Sequence, residues 1–453
     1  MKVAKFGGSS LASAEQLRKV AGIVASDPER RLIVVSAPGK RDKSDTKVTD
    51  LLIACAEKHL AKGDTEAELG AVVARYEDIA TELGLPQSIV MTIAEDLVAR
   101  LGATYATDGQ FMDTMKAAGE DNCAKLFAQY LCSTGLDAGY VCPRDAGLIV
   151  SDEFGNAQVL PESYENLARL NEGTGVMVFP GFFGYSPQGD VVTFPRSGSD
   201  ITGSVLAAAV TADEYENFTD VDSVFAANPN VVKSAKAVSE LTYREMRELS
   251  YAGFAVFHEE ALEPAFRAGI PVRIKNTNNP DGVGTRIAPS READLGPVAG
   301  IACDDGFCSV YMSKYLMNRE VGFGRRLLQI LEEEGISYEH TPSGIDNISV
   351  ILRESVFDWG TESRVVDRIR SELDVDDVSV ERGLAVIMLV GEGMQHTVGI
   401  AARITGALAK ANVNIEMINQ GSSEVSMMFG IKAPDSVRAV RALYEEFFGE
   451  ESA

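Results

Sequence analysis

The chain has 453 residues, 45% of them hydrophobic and 24% charged, which suits two or three compact soluble domains. Its formal net charge of -25 argues against nucleic acid and anionic membrane as partners, because phosphate-rich surfaces bind through clustered Lys and Arg. The six cysteines, Cys55, Cys123, Cys132, Cys142, Cys303 and Cys308, follow neither a metal-ligand nor a disulfide spacing, so reduced thiols in a cytoplasmic protein are expected. Residues 1–8 lack an apolar run of signal-peptide length, and no segment approaches the roughly 20 apolar residues of a membrane span.

Short apolar runs at 3–6, 32–35, 139–142, 176–179 and 271–274 alternate with helical periods at 14–26, 49–62, 66–83, 87–100 and 121–133. This alternation predicts an α/β fold with a mainly parallel sheet sandwiched by helices. The stretch 66–100 contributes two helices without an intervening strand, so it is expected as a cap or lid. A Pro-, Gly- and Asp-rich stretch at 280–290, followed by the charged 291–294, marks a domain boundary.

Beyond that boundary the chain repeats itself. Gly322, Gly335, Ser337, Ser343 and Ser349 stand opposite Gly399, Asn412, Asn414, Gln420 and Ser426 at one constant offset, the mark of a duplication. Each copy reads as a small α+β unit near a βαββαβ pattern, without a clustered acid, base or nucleophile. Regulation is the expected role, with dimerisation alone as the alternative. The resulting division is 1–290 for a catalytic domain, 298–375 for the first repeat and 376–453 for the second.

Several loops at predicted strand ends carry candidate chemistry. The first strand runs into Gly7-Gly8-Ser9-Ser10 just before a helix, where backbone N–H groups and the helix N-terminus suit phosphate oxygens. A tight structural turn explains the glycines equally well, and the spacing is that of neither a Walker loop nor a dinucleotide fingerprint. Lys5 sits within this apolar strand, which is costly unless its ammonium meets an anion. A second turn with small residues lies at Ser36-Ala37-Pro38-Gly39, and two such strand ends suggest one crevice. The nearby Lys40-Arg41-Asp42-Lys43 reads as a solvated loop or a closure over phosphate.

Farther on, Arg196-Ser197-Gly198-Ser199-Asp200 leads into a helix. It offers a planar guanidinium for carboxylate or phosphate and an acid to orient phosphates. The segment Thr219-Asp220 to Phe225, followed by Ala226 to Asn230, offers polar backbone and an aromatic for a nucleoside. His59, His258, His340 and His396 are scattered, so no catalytic histidine is expected. Trp359 is expected to pack, as are Met388, Met394, Met417, Met427 and Met428.

Taken in order, Lys5 to Ser10, the Ser36 turn, Thr49-Asp50-Leu51-Leu52, Gly119-Glu120, Gly181-Phe182, Arg196 to Asp200 and Thr219-Asp220-Val221 resemble the motifs of aspartate kinases. The tail resembles that family's tandem ACT domains, so the likeness covers essentially the whole chain. With no homoserine dehydrogenase region after Ala453, the monofunctional lysine-sensitive branch is the expectation.

The resemblance implies phosphoryl transfer from ATP, with Mg, to the β-carboxylate of L-aspartate to give 4-phospho-L-aspartate, the first step towards lysine, threonine and methionine. It implies an amino-acid-kinase-like domain followed by two ferredoxin-like ACT repeats. Lys5 and Asp200 are then catalytic. Lys5, Gly7, Gly8, Ser9, Thr219, Asp220, Phe225 and Asn230 bind ATP, and Ser36, Thr49, Glu120, Phe182, Arg196 and Ser199 hold aspartate, Glu120 facing its ammonium. The metal arrives with the nucleotide phosphates rather than on a protein cluster.

The effector lysine is expected at Met317, Glu320, Gly322, Phe323, Gly324, Ser337, Tyr338, Glu339, Ser343 and Asp346, in a homodimer or homotetramer joined through the ACT domains. A kinase for another carboxylate amino acid and a catalytically silent amino-acid sensor are the alternatives. Two positions depart from the family pattern. Ser197 replaces a glycine, and 255–259 reads Ala-Val-Phe-His-Glu where many members carry a lysine, leaving Lys275 or the 40–43 loop to replace a phosphate contact.

Overall fold

The computed structural model describes residues 1–195, 197–254, 259–291, 296–421, 423 and 425–449, without the side chains of 259 and 260. The chain divides into two compact units. The first gathers Met1–Val224, Ala237–Tyr243 and the described part of 256–291; the second gathers Phe225–Lys236, the described part of 244–255 and the described residues from 296 onward.

An eight-stranded sheet organises the first unit. Its strands run in the order Glu240–Thr242, Thr285–Ala288, Val272–Asn276, Glu214–Thr219, Lys2–Phe6, Arg30–Val35, Val176–Pro180 and Ala138–Tyr140. All neighbours pair in parallel except Val272–Asn276 with Thr285–Ala288. The central strands are apolar on both faces, as a sheet covered twice requires. Glu216 and Asn217 interrupt this pattern in a central strand, yet both are buried. They point to opposite faces, so each needs its own partner. Arg30 supplies one, its Nε and Nη2 donating to the Glu216 carboxylate at 2.5 and 3.0 Å.

Helix Ala14–Ala25 starts at Ser13, whose hydroxyl accepts from the Gln16 amide, and it buries Leu17, Val20, Ala21 and Val24. The 26-residue helix Asp108–Ser133 begins well before the predicted 121, with Thr107 accepting from the Gln110 amide. Helices Glu66–Glu82 and Gln87–Gly102 do not form a lid. Their Val72, Tyr76, Ile79, Val90, Ile93 and Leu97 share one core with Phe6, Ile33 and Phe127. The 3.6-residue period identified these as helices, but the position of the layer follows from which apolar stripe they cover.

The second unit contains a five-stranded antiparallel sheet in the order Asn347–Arg353, Gly300–Ser313, Asp377–Val390, Ser426–Lys432 and Met417–Gln420. The two 14-residue strands each serve both repeats. Residues 307–313 pair with 377–384 beside Asn347–Arg353, whereas 300–305 pair with 385–390 beside Ser426–Lys432. A sequential division at 375/376 leaves out this exchange. The register shifts at Gly306, φ +84°, a backbone geometry that glycine enters without a Cβ clash.

Helices Phe323–Glu333 and Trp359–Leu373 bury Leu327, Ile330, Val365 and Ile369 in the first repeat's core. Ile400–Lys410 and Ser436–Phe448 are their counterparts in the second. Met388, Met394, Met427 and Met428 are buried as expected. Trp359 is not: it is 77% exposed, with the Arg382 guanidinium 5.0 Å from its ring. Among the described residues no helix is long and apolar enough to cross a membrane.

Candidate active site

The carboxyl ends of the parallel strands converge on one rim of the first unit's sheet. Lys5, buried in the central strand, places Nζ 2.5 Å from Asp200 Oδ1. An ammonium in that setting requires such an anion. Asp200 lies in the first turn of helix Gly198–Ala209, where the helix dipole also favours a carboxylate. Asn217, paired in register with Lys5, donates from Nδ2 to the same Asp200 oxygen at 2.5 Å.

The two small-residue turns pack directly against each other. The Gly39 amide donates to the Gly8 carbonyl at 2.8 Å, and a Cβ on Gly39 would stand 2.6 Å from the Gly8 carbonyl carbon. Such close backbone approach requires glycine there. Gly7 donates to the Phe218 carbonyl and Ser36 to the Phe6 carbonyl, so each turn is tied to an adjacent strand end. Ser9 is exposed and Ser36 half-buried at this rim. Thr49 occupies the first turn of helix Val48–Leu60, whose Val48 amide donates to the Pro38 carbonyl.

Glu120 reaches the same turn from the long helix, its carboxyl group accepting the Ala37 amide. It is 5% exposed, and its Oε2 has no hydrogen-bond partner among the described residues. Burial pushes its carboxyl from 4.5 to about 8. A buried acid with an unsatisfied oxygen at a crevice is suited to a cationic ligand group.

On the next strand, the Gly181 amide donates to the Val35 carbonyl, and a Cβ at Gly181 would lie 2.6 Å from Ser199 Oγ. Phe182 has φ +77°, held there as its amide donates to Thr202 Oγ1 at 3.0 Å and its carbonyl accepts the Phe194 amide. Ser197 has φ +60°. The departure from glycine therefore falls on a left-handed position, where a side chain is strained. Arg196 lies outside the described residues, as do 255–258.

Thr219 and Asp220 close the neighbouring strand end, Thr219 Oγ1 donating to Asp220 Oδ1 at 3.2 Å. Phe225 and Asn230 belong to the second unit, where Asn230 is exposed and its amide donates to Asn228 Oδ1. Lys275 aligns with Phe218, its Nζ 5.9 Å from that ring. It thus sits on the sheet face opposite Lys5 and does not join the Lys5–Asp200 pair. In the 40–43 loop, the Arg41 guanidinium is engaged by Asp45 and Asp78, while Lys40 and Lys43 are exposed.

The expected effector residues fall into two groups. Glu320 takes ion pairs from Lys314 and Arg326, and the Glu320 carbonyl accepts the Phe323 amide. Asp346 Oδ1 accepts the Leu316 amide at 2.9 Å, beside buried Met317. Gly322, φ +83°, opens the helix containing Phe323 and Gly324. Glu339 is elsewhere: its carboxylate accepts from the Arg353 guanidinium and the Tyr251 hydroxyl, and its amide pairs at Ile351, whereas exposed Ser343 bridges Ile348. Glu339 and Asp346 therefore do not form one carboxylate pair within a chain. Ser337 and Tyr338 are exposed.

Asn217 was not identified from the sequence. The signal was present in two consecutive polar residues, Glu216 and Asn217, inside an apolar strand. Which oxygen Asn217 would meet depended on the helix packed over it.

A mainly parallel sheet with paired glycine turns, a strand-end lysine and an acid at a helix start describes this site, and the chain belongs to the amino acid kinase family, which residues 1–276 match; residues 387–447 match an ACT domain. Within that family it stands with the aspartokinases. It is 62% identical to Aspartokinase 3 of Bacillus subtilis over 448 residues, covering 99% of both chains. Among solved structures, aspartate kinase from Clostridium acetobutylicum is similar with TM-score 0.89 and 38% identity, over 99% of this chain and 100% of that one. Aspartokinase III of E. coli, solved with aspartate and ADP and with lysine and aspartate, has TM-score 0.77 and 27% identity. It covers 99% of this chain, and this chain spans 100% and 99% of those two structures.

Proposed function

We propose that this enzyme transfers the γ-phosphoryl group of ATP to the β-carboxylate of L-aspartate, releasing 4-phospho-L-aspartate and ADP. The observation that carries the reading is the buried Lys5–Asp200 pair on the same rim as the Ser36 turn and the unsatisfied Glu120 carboxyl. An ionised carboxylate is already a nucleophile, so its oxygen attacks the γ-phosphorus while the bond to the β–γ bridging oxygen breaks. No general base is required.

Lys5 neutralises charge on the transferring group, with the Gly8 and Ser9 amides beside it. Glu120 receives the substrate ammonium, and Ser36, Thr49, Phe182 and Ser199 complete that side. Arg196 is proposed as the α-carboxylate clamp from its place in the sequence. Thr219 and Asp220 are proposed for the nucleoside.

Among the described residues no group of three or more His, Cys, Asp or Glu could hold a metal ion. Asp200 alone, with its Oδ2 free of described contacts, fits a magnesium ion that comes with the nucleotide phosphates and supplies charge neutralisation. Lysine is the proposed feedback effector at the ACT repeats, supported by the lysine complex of E. coli Aspartokinase III. A cytoplasmic homodimer or homotetramer is the proposed setting.

ADP release with aspartate, compared against glutamate and other small carboxylates, tests the reaction. Lys5→Met should lower kcat by roughly a hundredfold or more. Near-normal turnover in that variant rejects the role of Lys5, and lysine binding without ADP release from any substrate favours a silent sensor.

A further inference from the structure

Lys5 has two tasks that conflict. Its ammonium compensates Asp200, yet the reaction proposed above needs that ammonium on the transferring phosphoryl group. If Lys5 were the sole partner of Asp200, each turnover would strand a partly buried carboxylate. The structure supplies a second donor at the same atom. Asn217 Nδ2 lies 2.5 Å from Asp200 Oδ1, the oxygen that Lys5 also contacts.

This donor is built in rather than incidental. Asn217 is 2% exposed on the central sheet, and the same Nδ2 lies 3.3 Å from the Tyr215 hydroxyl oxygen, one donor of Asn217 being shared between the two acceptors or divided across its two hydrogens. Tyr215 donates its own hydroxyl to the Asp200 main-chain oxygen at 3.2 Å, so side chain and backbone of one residue are held by one strand. Gly203, one turn along the same helix, makes room: a Cβ there would stand 2.5 Å from the Tyr215 hydroxyl.

We propose that Asn217, aimed by Tyr215, is a positioning residue that holds Asp200 in place while Lys5 is handed from Asp200 to the phosphoryl group. This rests on the proposed kinase reaction. Asn217 touches neither substrate. It keeps Asp200 Oδ1 hydrogen-bonded during the hand-over.

The test combines turnover with calorimetric binding of MgATP in the absence of aspartate. A charge-assisted hydrogen bond of this type is worth roughly tenfold to a hundredfold. Asn217→Leu should therefore lower kcat at least tenfold and weaken MgATP binding several-fold. KM for aspartate should stay near wild type, and the losses in kcat and MgATP affinity should exceed what any fall in melting temperature accounts for. Asn217→Ser restores a shorter donor and should recover part of the loss; Tyr215→Phe leaves Asn217 unaimed and should give an intermediate loss.

Wild-type kcat and MgATP affinity in folded Asn217→Leu overturn the proposal, as does a loss in both that simply tracks a lowered melting temperature. If Asn217→Leu does not fold, the Asn217→Ser and Tyr215→Phe pair decides by the same split. If the wild-type protein releases no ADP with aspartate, the proposed reaction fails. The MgATP arm then still decides the role of Asn217.

Discussion

Glu120 makes proton release a direct readout of substrate binding. With its carboxyl pushed up to about 8 by burial, this group is mostly protonated at pH 7. An ammonium docking against Oε2 favours the carboxylate, so aspartate binding should release a proton below about pH 8, and progressively less as the pH rises through that value. The interval from 4.5 to about 8 corresponds to an upper bound on the order of 5 kcal/mol for burying the charge without a partner.

The sign follows from the raised folded-state value. Stability from neutral Glu120 is complete below about pH 4.5 and is lost as pH rises through about 8. Saturating aspartate should therefore raise the melting temperature more at pH 8 than at pH 6. Its affinity should climb as the pH rises towards about 8 and level off above it. Calorimetry in buffers of different ionisation enthalpy measures the released proton, and Glu120→Gln should abolish both the release and the pH dependence. Aspartate binding by the wild type with no proton release refutes the reasoning.

Ser197→Gly should raise stability by about 0.5 to 1 kcal/mol, because relief of a left-handed serine outweighs glycine's greater unfolded-state entropy; denaturant unfolding measures it. Glu216→Ala should cost about 3 to 5 kcal/mol by leaving the Arg30 guanidinium buried without its carboxylate, and an unchanged denaturation midpoint would contradict that accounting. Asp346→Ala should remove the response of ADP release to lysine, while Glu339→Ala should retain it, since the Glu339 carboxylate is occupied by Arg353 and Tyr251. Equal loss in both variants would return Glu339 to the effector site.

Much of the architecture was determined by the sequence itself. Apolar runs alternating with helical periods specify a mainly parallel sheet, because period and length are local properties of the chain. Lys5 inside an apolar strand announced a buried anion for the same reason: an unpaired ammonium there is too costly to persist. The repeat offset likewise revealed the duplication.

What only the tertiary structure decided concerns partners distant in sequence. It selected Asp200 for Lys5 and Asn217, buried Glu120 beneath the Ser36 turn, and put Lys275 on the other face. It also let the two long strands serve both ACT repeats and separated Glu339 from Asp346. Each outcome depends on register and on which helix covers which face. Side-chain chemistry reports that a residue needs a partner, and packing alone chooses which partner it receives.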